Sequence, residues 1–221
     1  MGRRPPDGRM TGMRLIVAIT GATGAALGVR LLQRLRAVGS VETHLVLSRW
    51  SRPTIELETP FTVAQVRDLA DVSYGSADQA AAISSGSFRA AGMVVIPCTM
   101  KTLAAIRAGY ADDLVTRAAD VVIKERRRLV LVTRETPLSP IHLENMLELA
   151  RIGITIMPPM PAYYARPHDL DDVADNFVGR VLDQFGLETD VVHRWGGLHV
   201  SPSGIPVHKL TDEGFLKGTG E

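Results

Sequence analysis

Five short stretches of this chain carry residue types that bind or transform small polar ligands. The first is Gly21-Ala22-Thr23-Gly24, with Gly28 following. Glycines let a backbone approach a phosphate or an aromatic ring, and a helix starting there offers free amides at the positive end of its dipole. The spacing Gly-x-x-Gly-x-x-x-Gly differs from the Gly-x-Gly-x-x-Gly of dinucleotide binders, and such glycines also serve plain helix–sheet packing. The second stretch is Ser48-Arg49, and the third is Pro97-Cys98-Thr99-Met100-Lys101-Thr102. A nucleophilic Cys98 would need a nearby base and an electropositive pocket. A small buried thiol, flanked by hydroxyls and amides that hold a phosphate, is the simpler reading. The fourth is Arg134-Glu135, where Glu135 reads either as a general acid/base or as half of a surface ion pair. The fifth runs from Pro158 through Tyr163 and Tyr164 to Pro167.

Cations and histidines narrow the chemistry. Arg117 and Lys124 lie seven residues apart, two helical turns, and therefore share a face. With Arg134 arriving from a neighbouring strand, the three would form an anion pocket. The run Lys124-Glu-Arg-Arg-Arg128 reads as a solvated helix end, where cations are favoured, rather than as a nucleic-acid patch. None of the six histidines stands at paired ligand spacing, so no metal is expected. A nicotinamide site is the lesser reading: Thr20 to Gly24 superficially resembles the opening of extended short-chain reductases, and Arg49 could meet a 2′-phosphate. Those enzymes use a Tyr-x-x-x-Lys pair, whereas Tyr74, Tyr110, Tyr163 and Tyr164 are followed four places on by Asp78, Leu114, Pro167 and His168.

These stretches need a scaffold, and the apolar pattern supplies one. Arg14 to Thr20 is a continuous apolar run, too short for a helix, and reads as a strand buried on both faces. Leu27, Leu31, Leu32, Leu35 and Val38 follow at helical spacing, and Gly39 ends that helix. Further strands are expected at His44 to Leu47, at Gly92 to Ile96 with a halt at Pro97, at Leu129 to Val132 and at Ile154 to Met157. Helices are expected over Thr99 to Arg107, along the stripe Leu114, Ala118, Val121 and Val122, from the Ser139 cap onward, and over Leu170 to Phe185. Such alternation means right-handed crossovers and a parallel sheet covered on both sides, a Rossmann-like α/β three-layer sandwich. In that architecture ligands bind beyond the carboxyl ends of the strands, where the five stretches fall.

Composition sets the outer bounds. The chain has 221 residues, 45% apolar, 22% charged and 5% aromatic, with 25 basic against 24 acidic side chains. The length suits one domain, expected over residues 13–195, and the apolar fraction excludes intrinsic disorder. A net charge of +1 gives no reason to expect nucleic acid or an anionic membrane. The single cysteine excludes an intrachain disulfide and suits a reducing cytoplasm. No apolar run approaches the ~20 residues of a membrane span. Residues 1–12, rich in Arg, Pro and Gly, lack the apolar core of a secretory signal and read as a flexible extension. Residues 196–221 read as a tail that is disordered or draped over a neighbour.

Gly21-Ala-Thr-Gly24, Ser48, Pro97-Cys-Thr-Met-Lys-Thr102, Arg117-Ala-Ala-Asp to Lys124-Glu-Arg-Arg127, Leu129 to Glu135, His142-Leu-Glu-Asn-Met146 and Pro158-Pro-Met-Pro-Ala-Tyr-Tyr164 together strongly resemble the UbiX-like flavin prenyltransferases. The resemblance runs in order from about Met13 to Trp195. It implies a flavoprotein fold and transfer of a dimethylallyl group from dimethylallyl monophosphate to N5 and C6 of reduced FMN, without a metal. The prenylated FMN would serve a UbiD-like decarboxylase. By matching positions, Gly21, Ala22, Thr23, Ser48, Thr99, Met100, Lys101, Thr102 and Arg134 would hold FMN. Arg117, Lys124, Tyr164, Arg180 and Trp195 would meet the prenyl donor, and Glu135, Lys124, Thr23 and Glu58 would act in catalysis. Trp195 also reads as a plain hydrophobic anchor. The resemblance further implies a homo-oligomer, a trimer-based dodecamer with sites shared between subunits. Many members carry Ser where this chain has Thr23, which keeps the hydroxyl and adds a methyl. Rival readings are a non-catalytic FMN-binding accessory subunit of a phenolic acid decarboxylase, and a flavin-dependent decarboxylase of cysteine-containing peptides.

Overall fold

A computed structural model describes residues 12–197. Gly12 apart, the expected N-terminal extension lies outside the described residues, as does the C-terminal tail beyond Gly197. Six strands run β1 Met13–Ile19, β2 Val41–Leu47, β3 Val72–Gly75, β4 Gly92–Cys98, β5 Arg128–Thr133 and β6 Thr155–Ile156. Every neighbouring pair is parallel, in the order β3-β2-β1-β4-β5-β6. Among the described residues six α-helices lie between these strands and a seventh follows β6: α1 Ala25–Val38, α2 Ser51–Glu58, α3 Val63–Asp68, α4 Met100–Ala108, α5 Leu114–Lys124, α6 Pro140–Arg151 and α7 Leu170–Asp183.

The side-chain period of two divides β1 between two cores. Leu15, Val17 and Ile19 pack with Leu31, Leu32 and Leu35 of α1 and with Val178 and Val181 of α7. Ile16 and Ala18 pack on the other face with Val115, Ala118 and Val122 of α5 and with Leu103 of α4. This two-sided burial is why the strands read as unbroken apolar runs, and it is the expected three-layer α/β sandwich. Arg34 from α1 makes two hydrogen bonds to the Asp175 carboxylate on α7, at 2.9 and 2.7 Å, which fixes the outer layer.

Two expectations need correction. The strand that was to halt at Pro97 continues to Cys98, which pairs with Thr133 after a register shift past Val95. Pro97 gives no N–H to the ladder, and the shift carries Cys98 to the α4–α5 core rather than to the face of Ile96. Between β2 and β4 the chain also forms α2, α3 and the edge strand β3, which no apolar periodicity announced. Their signals are short: α3 has six residues and is started by the Thr62–Gln65 capping box. Among the described residues no helix is long and apolar enough to cross a membrane.

A polar chain crosses the amino-terminal end of the sheet. Arg14 donates to Glu42, which also meets Nε2 of the buried His44, while Nδ1 of His44 meets the Tyr74 hydroxyl at 2.9 Å. Burial pushes His44 below its ordinary value of 6.5, against the pull of Glu42. Burial works to raise Glu42, but Arg14 and His44 hold it below its ordinary 4.5. Both groups bind fewer protons folded than unfolded, so their contribution is present above those ordinary values and is lost as pH falls. Thermal melts across this range should show stability declining from pH 6.5 downward, and His44→Gln should flatten the upper part of the decline. A melting temperature that rises on acidification would contradict this.

Candidate functional site

The strand order reverses at β1, so the crevice opens between the carboxyl ends of β1 and β4. Backbone bonds lace this rim together. Ser48 N–H donates to Ile19 O at 3.1 Å, Thr20 N–H to Pro97 O at 3.2 Å and Arg134 N–H to Cys98 O at 3.2 Å. The Thr20 hydroxyl adds a second tie, donating to Pro97 O at 2.7 Å and accepting from Thr99 N–H at 2.9 Å. Four strand ends thus present Ser48, the Gly21–Gly24 turn, the Thr99–Thr102 turn and Arg134 along one edge, as the sequence pattern expects. Thr20, 1% exposed, is the bolt between the two turns. The sequence places Thr20 at the end of an apolar strand and at the head of the Thr20–Gly24 stretch, but its tie to Thr99 has no local signal.

At the Gly21 turn a Cβ would stand 2.5 Å from the Cβ of Trp50, so this glycine is required by the close passage of the β2–α2 loop. Gly24 caps α1 at φ 100°, the left-handed region. Two amides at the start of α1 are already used: Gly24 N–H and Ala25 N–H donate to Oε2 of Glu58 at 2.8 and 2.9 Å, and Leu27 N–H donates to Gly24 O. The expectation that α1 offers a set of free amides to a phosphate therefore holds at most for Ala26. A carboxylate from the end of α2 holds that position, matched to the helix dipole. Glu58 thereby fixes the turn that carries Thr23, whose side chain is exposed on the rim.

The α4 start is different. Thr99 is the N-cap; its Oγ1 accepts from Thr102 N–H at 3.1 Å and donates to the Thr102 hydroxyl at 2.9 Å. Leu103 N–H is taken by Thr99 O. The Met100 and Lys101 amides lie outside these capping bonds, at the end of the helix where orphan donors point outward. Hydroxyls from Ser48, Thr99 and Thr102, first-turn amides and the exposed Lys101 are a donor set suited to a phosphate monoester. The residues present fit the phosphate of FMN at α4, not at α1. Cys98 lies just beneath, fully buried, its thiol pushed by burial up to about 12. It is not an activated nucleophile, and thiol reagents should label Cys98 only after unfolding. Rapid labelling of the folded protein would overturn that assignment.

Arg134 and Glu135 stand exposed at the end of β5, where Glu135 Oε1 accepts from Thr136 N–H at 3.0 Å. Among the described residues Glu135 forms no ion pair, and its side chain is exposed. Beyond β6, Tyr164 and Arg180 share a cleft of about 320 Å³ with Met157, Met160 and Phe177. Trp195 packs edge-to-face on Tyr164, ring centroids 5.5 Å apart, and Asp183 clamps the preceding Arg194 at 2.8 and 3.0 Å. Trp195 is thus held at the Tyr164 side of the cleft.

The structure does not bring Arg117 and Lys124 to Arg134. α5 descends from the carboxyl edge, and Lys124 ends it before β5 begins, whereas Arg134 follows the end of β5. Six residues of strand at ~3.3 Å each put roughly 20 Å between them. Arg117 and Lys124 do share a face, as their spacing requires, but that face is turned to the 84–87 segment. Arg117 Nε donates to Ser84 O and its Nη1 to Asp120, and Lys124 Nζ lies 2.6 Å from Glu125 Oε1. The three-cation pocket therefore does not form within one chain. Both Lys124 and Glu125 remain near the surface, and an exposed pair of this kind is cheap to break.

A family model described as Flavoprotein matches residues 3–182. The probable UbiX-like flavin prenyltransferase of Streptomyces sp. (strain D7) is 63% identical over 189 residues, covering 86% of this chain and 94% of that protein. The crystal structure of a dodecameric FMN-dependent UbiX-like decarboxylase from Escherichia coli O157:H7 aligns with a TM-score of 0.83 at 65% identity, covering 84% of this chain and all of that one, 100%. The structure of AnUbiX (PadA1) in complex with FMN and dimethylallyl pyrophosphate aligns with a TM-score of 0.82 at 56% identity, covering 84% and 98%.

Proposed function

From the premise that this chain belongs to the flavoprotein family and, within it, to the UbiX-like flavin prenyltransferases, we propose that it transfers a dimethylallyl group from dimethylallyl monophosphate to N5 and C6 of reduced FMN. The observation that carries the reading is the conjunction, along one sheet edge, of a hydroxyl-and-amide cradle at α4 with the aromatic–cationic cleft of Tyr164 and Arg180.

Reduced FMN supplies the nucleophilic ring positions; the chain supplies position and charge. Ser48, Thr99, Met100, Lys101 and Thr102 hold the FMN phosphate, and Gly21, Ala22, Thr23 and Arg134 border the ring system. Tyr164 and Arg180 bind the donor phosphate and stabilise the charge that develops as it departs. Trp195 offers an aromatic face beside an allylic centre short of electrons. Ring closure would exchange the C6 hydrogen for a bond to the prenyl chain and add a proton to the prenyl alkene, and Glu135 is placed to move a proton between the two carbons. Glu58 holds the Thr23 turn from beneath and lies next to the reacting edge.

Lys124 ends α5 at the opposite edge of the sheet, and Arg117 is tied to Ser84 O and Asp120 in its own chain, so we assign both to the site of a neighbouring copy. That requires a homo-oligomer, for which the dodecameric relative from Escherichia coli O157:H7 is the precedent. We take the product to be prenylated FMN destined for a UbiD-like decarboxylase, and the setting to be the cytoplasm. The accessory-subunit reading needs the FMN cradle but not the Tyr164–Arg180 cleft, and the cleft favours the enzyme. The test is anaerobic incubation of the purified protein with reduced FMN and dimethylallyl monophosphate, followed by mass spectrometry of the released flavin. Gain of one five-carbon unit supports the reading. Bound FMN with no mass gain would establish the accessory role instead.

A further inference from the structure

FMN has two ends, and the rim offers them two different turns: Thr99–Thr102 for the phosphate and Gly21–Thr23 for the ring system. The spacing between those turns decides how both ends can be held at once. One side chain spans it. Thr20 directly precedes Gly21, so its backbone carries the ring-side turn. Its N–H donates to Pro97 O at 3.2 Å, and its hydroxyl donates to the same oxygen at 2.7 Å while accepting from Thr99 N–H at 2.9 Å. Pro97 has no N–H to give across the strand pair, and the last β1–β4 register partners are Ala18 and Val95. The hydroxyl thus supplies the polar tie where the backbone ladder runs out. From Thr99 the bonds continue into the cradle, where its Oγ1 accepts from Thr102 N–H at 3.1 Å and donates to the Thr102 hydroxyl at 2.9 Å. Thr20 is 1% exposed, so bulk water has little access to replace its hydroxyl, and Thr99 N–H would be left without its acceptor. The same burial keeps Thr20 from meeting a ligand directly; whatever it does to FMN it does through Thr99.

We propose that Thr20 is a positioning residue for the flavin: its buried hydroxyl ties the cap of the phosphate cradle to the strand that carries the ring-side turn, and so sets the span over which FMN is held. The proposal rests on the reading that the Thr99–Thr102 turn receives the FMN phosphate, and it deepens that reading. Loss of the hydroxyl acts at the phosphate end, because the Thr99 cap and the Met100 and Lys101 amides behind it are then free to shift against the Gly21–Thr23 turn. A flavin without a phosphate has nothing to lose there. A Thr20 that served the fold alone would weaken the site as a whole and affect both kinds of flavin alike.

The test is fluorescence titration of the full-length protein with FMN and with riboflavin, which is the same flavin lacking the phosphate. It is made on the wild type, on Thr20→Val, which keeps the branched shape and removes the hydroxyl, and on Thr20→Ser, which keeps the hydroxyl. Thr20→Cys, with a weaker donor and acceptor in the same place, serves as the second hydroxyl-free variant should valine not fold. The wild type should bind FMN more tightly than riboflavin. Thr20→Val should lower FMN affinity about tenfold, the order expected for one orphaned N–H, and leave riboflavin within about twofold. Thr20→Ser should keep the wild-type preference, and Thr20→Cys should fall between. An FMN-to-riboflavin preference unchanged in Thr20→Val, or in Thr20→Cys where valine does not fold, would overturn the positioning role while leaving the cradle in place. A wild type that binds the two flavins equally would remove the phosphate cradle itself, and the proposal with it.

Discussion

Lys124→Ala and Arg180→Ala should each lower prenyl transfer by about 10²–10³-fold, the usual cost of removing one group that stabilises developing charge. Co-expressed in one cell with different tags, the two inactive chains should form mixed oligomers that recover activity. The reason is spatial. Lys124 ends α5 before β5 begins, whereas Arg180 lies in the cleft beyond the carboxyl end of β6, so no single chain brings both to one ligand. If a site takes Lys124 from one copy and Arg180 from another, random 1:1 assembly leaves about a quarter of the sites with both residues intact. If both came from the same chain, every mixed site would lack one of them and recovery would be nil. Activity per tag-selected mixed oligomer, measured against wild type, reads the difference.

The second large effect is expected at Glu58. Its carboxylate accepts from two backbone amides at the start of α1, and hydrogen bonds to a charged group contribute about 1.5–3 kcal/mol. Glu58→Ala leaves those amides to water and frees the Gly21–Gly24 turn, the segment that carries Thr23 to the rim. We expect FMN affinity to fall by roughly 10–100-fold, the equivalent of that energy, together with a lower melting temperature. Glu58→Gln retains an acceptor oxygen and should lose less of both. Fluorescence titration of FMN against the variants checks it; unchanged affinity in Glu58→Ala would mean the turn stands without its anchor and that Glu58 acts on the reaction alone.

Much of the scaffold was legible because burial on both faces writes itself as uninterrupted apolar runs. Arg14 to Thr20 and Leu129 to Val132 announce β1 and β5 within a residue or so, and Gly39 and Ser139 mark helix ends through backbone chemistry that those residues serve best. What could not be read depends on distance. Glu58 is separated from Gly24 by 34 positions, and nothing local to either tells that one caps the other. Thr20 binds Thr99 across 79 positions. Arg117 and Lys124 share a face, as helical geometry requires, but that face does not meet the Arg134 rim, because a periodicity gives the side of a helix and not which end of the sheet each residue reaches. The stretch from α2 to β3 was silent for a different reason: short, half-exposed elements bury too little to leave a pattern.

The central claim is that one sheet edge of one copy, completed by α5 of another, encloses FMN and a prenyl phosphate. A crystal structure of the oligomer soaked with FMN and dimethylallyl monophosphate measures it most directly. The account predicts the FMN phosphate on the Thr99–Thr102 turn, Arg180 on the donor phosphate, and a second copy's Lys124 withdrawn from its Glu125 onto that same phosphate. Lys124 still paired with Glu125 and remote from every flavin in the assembly would contradict it.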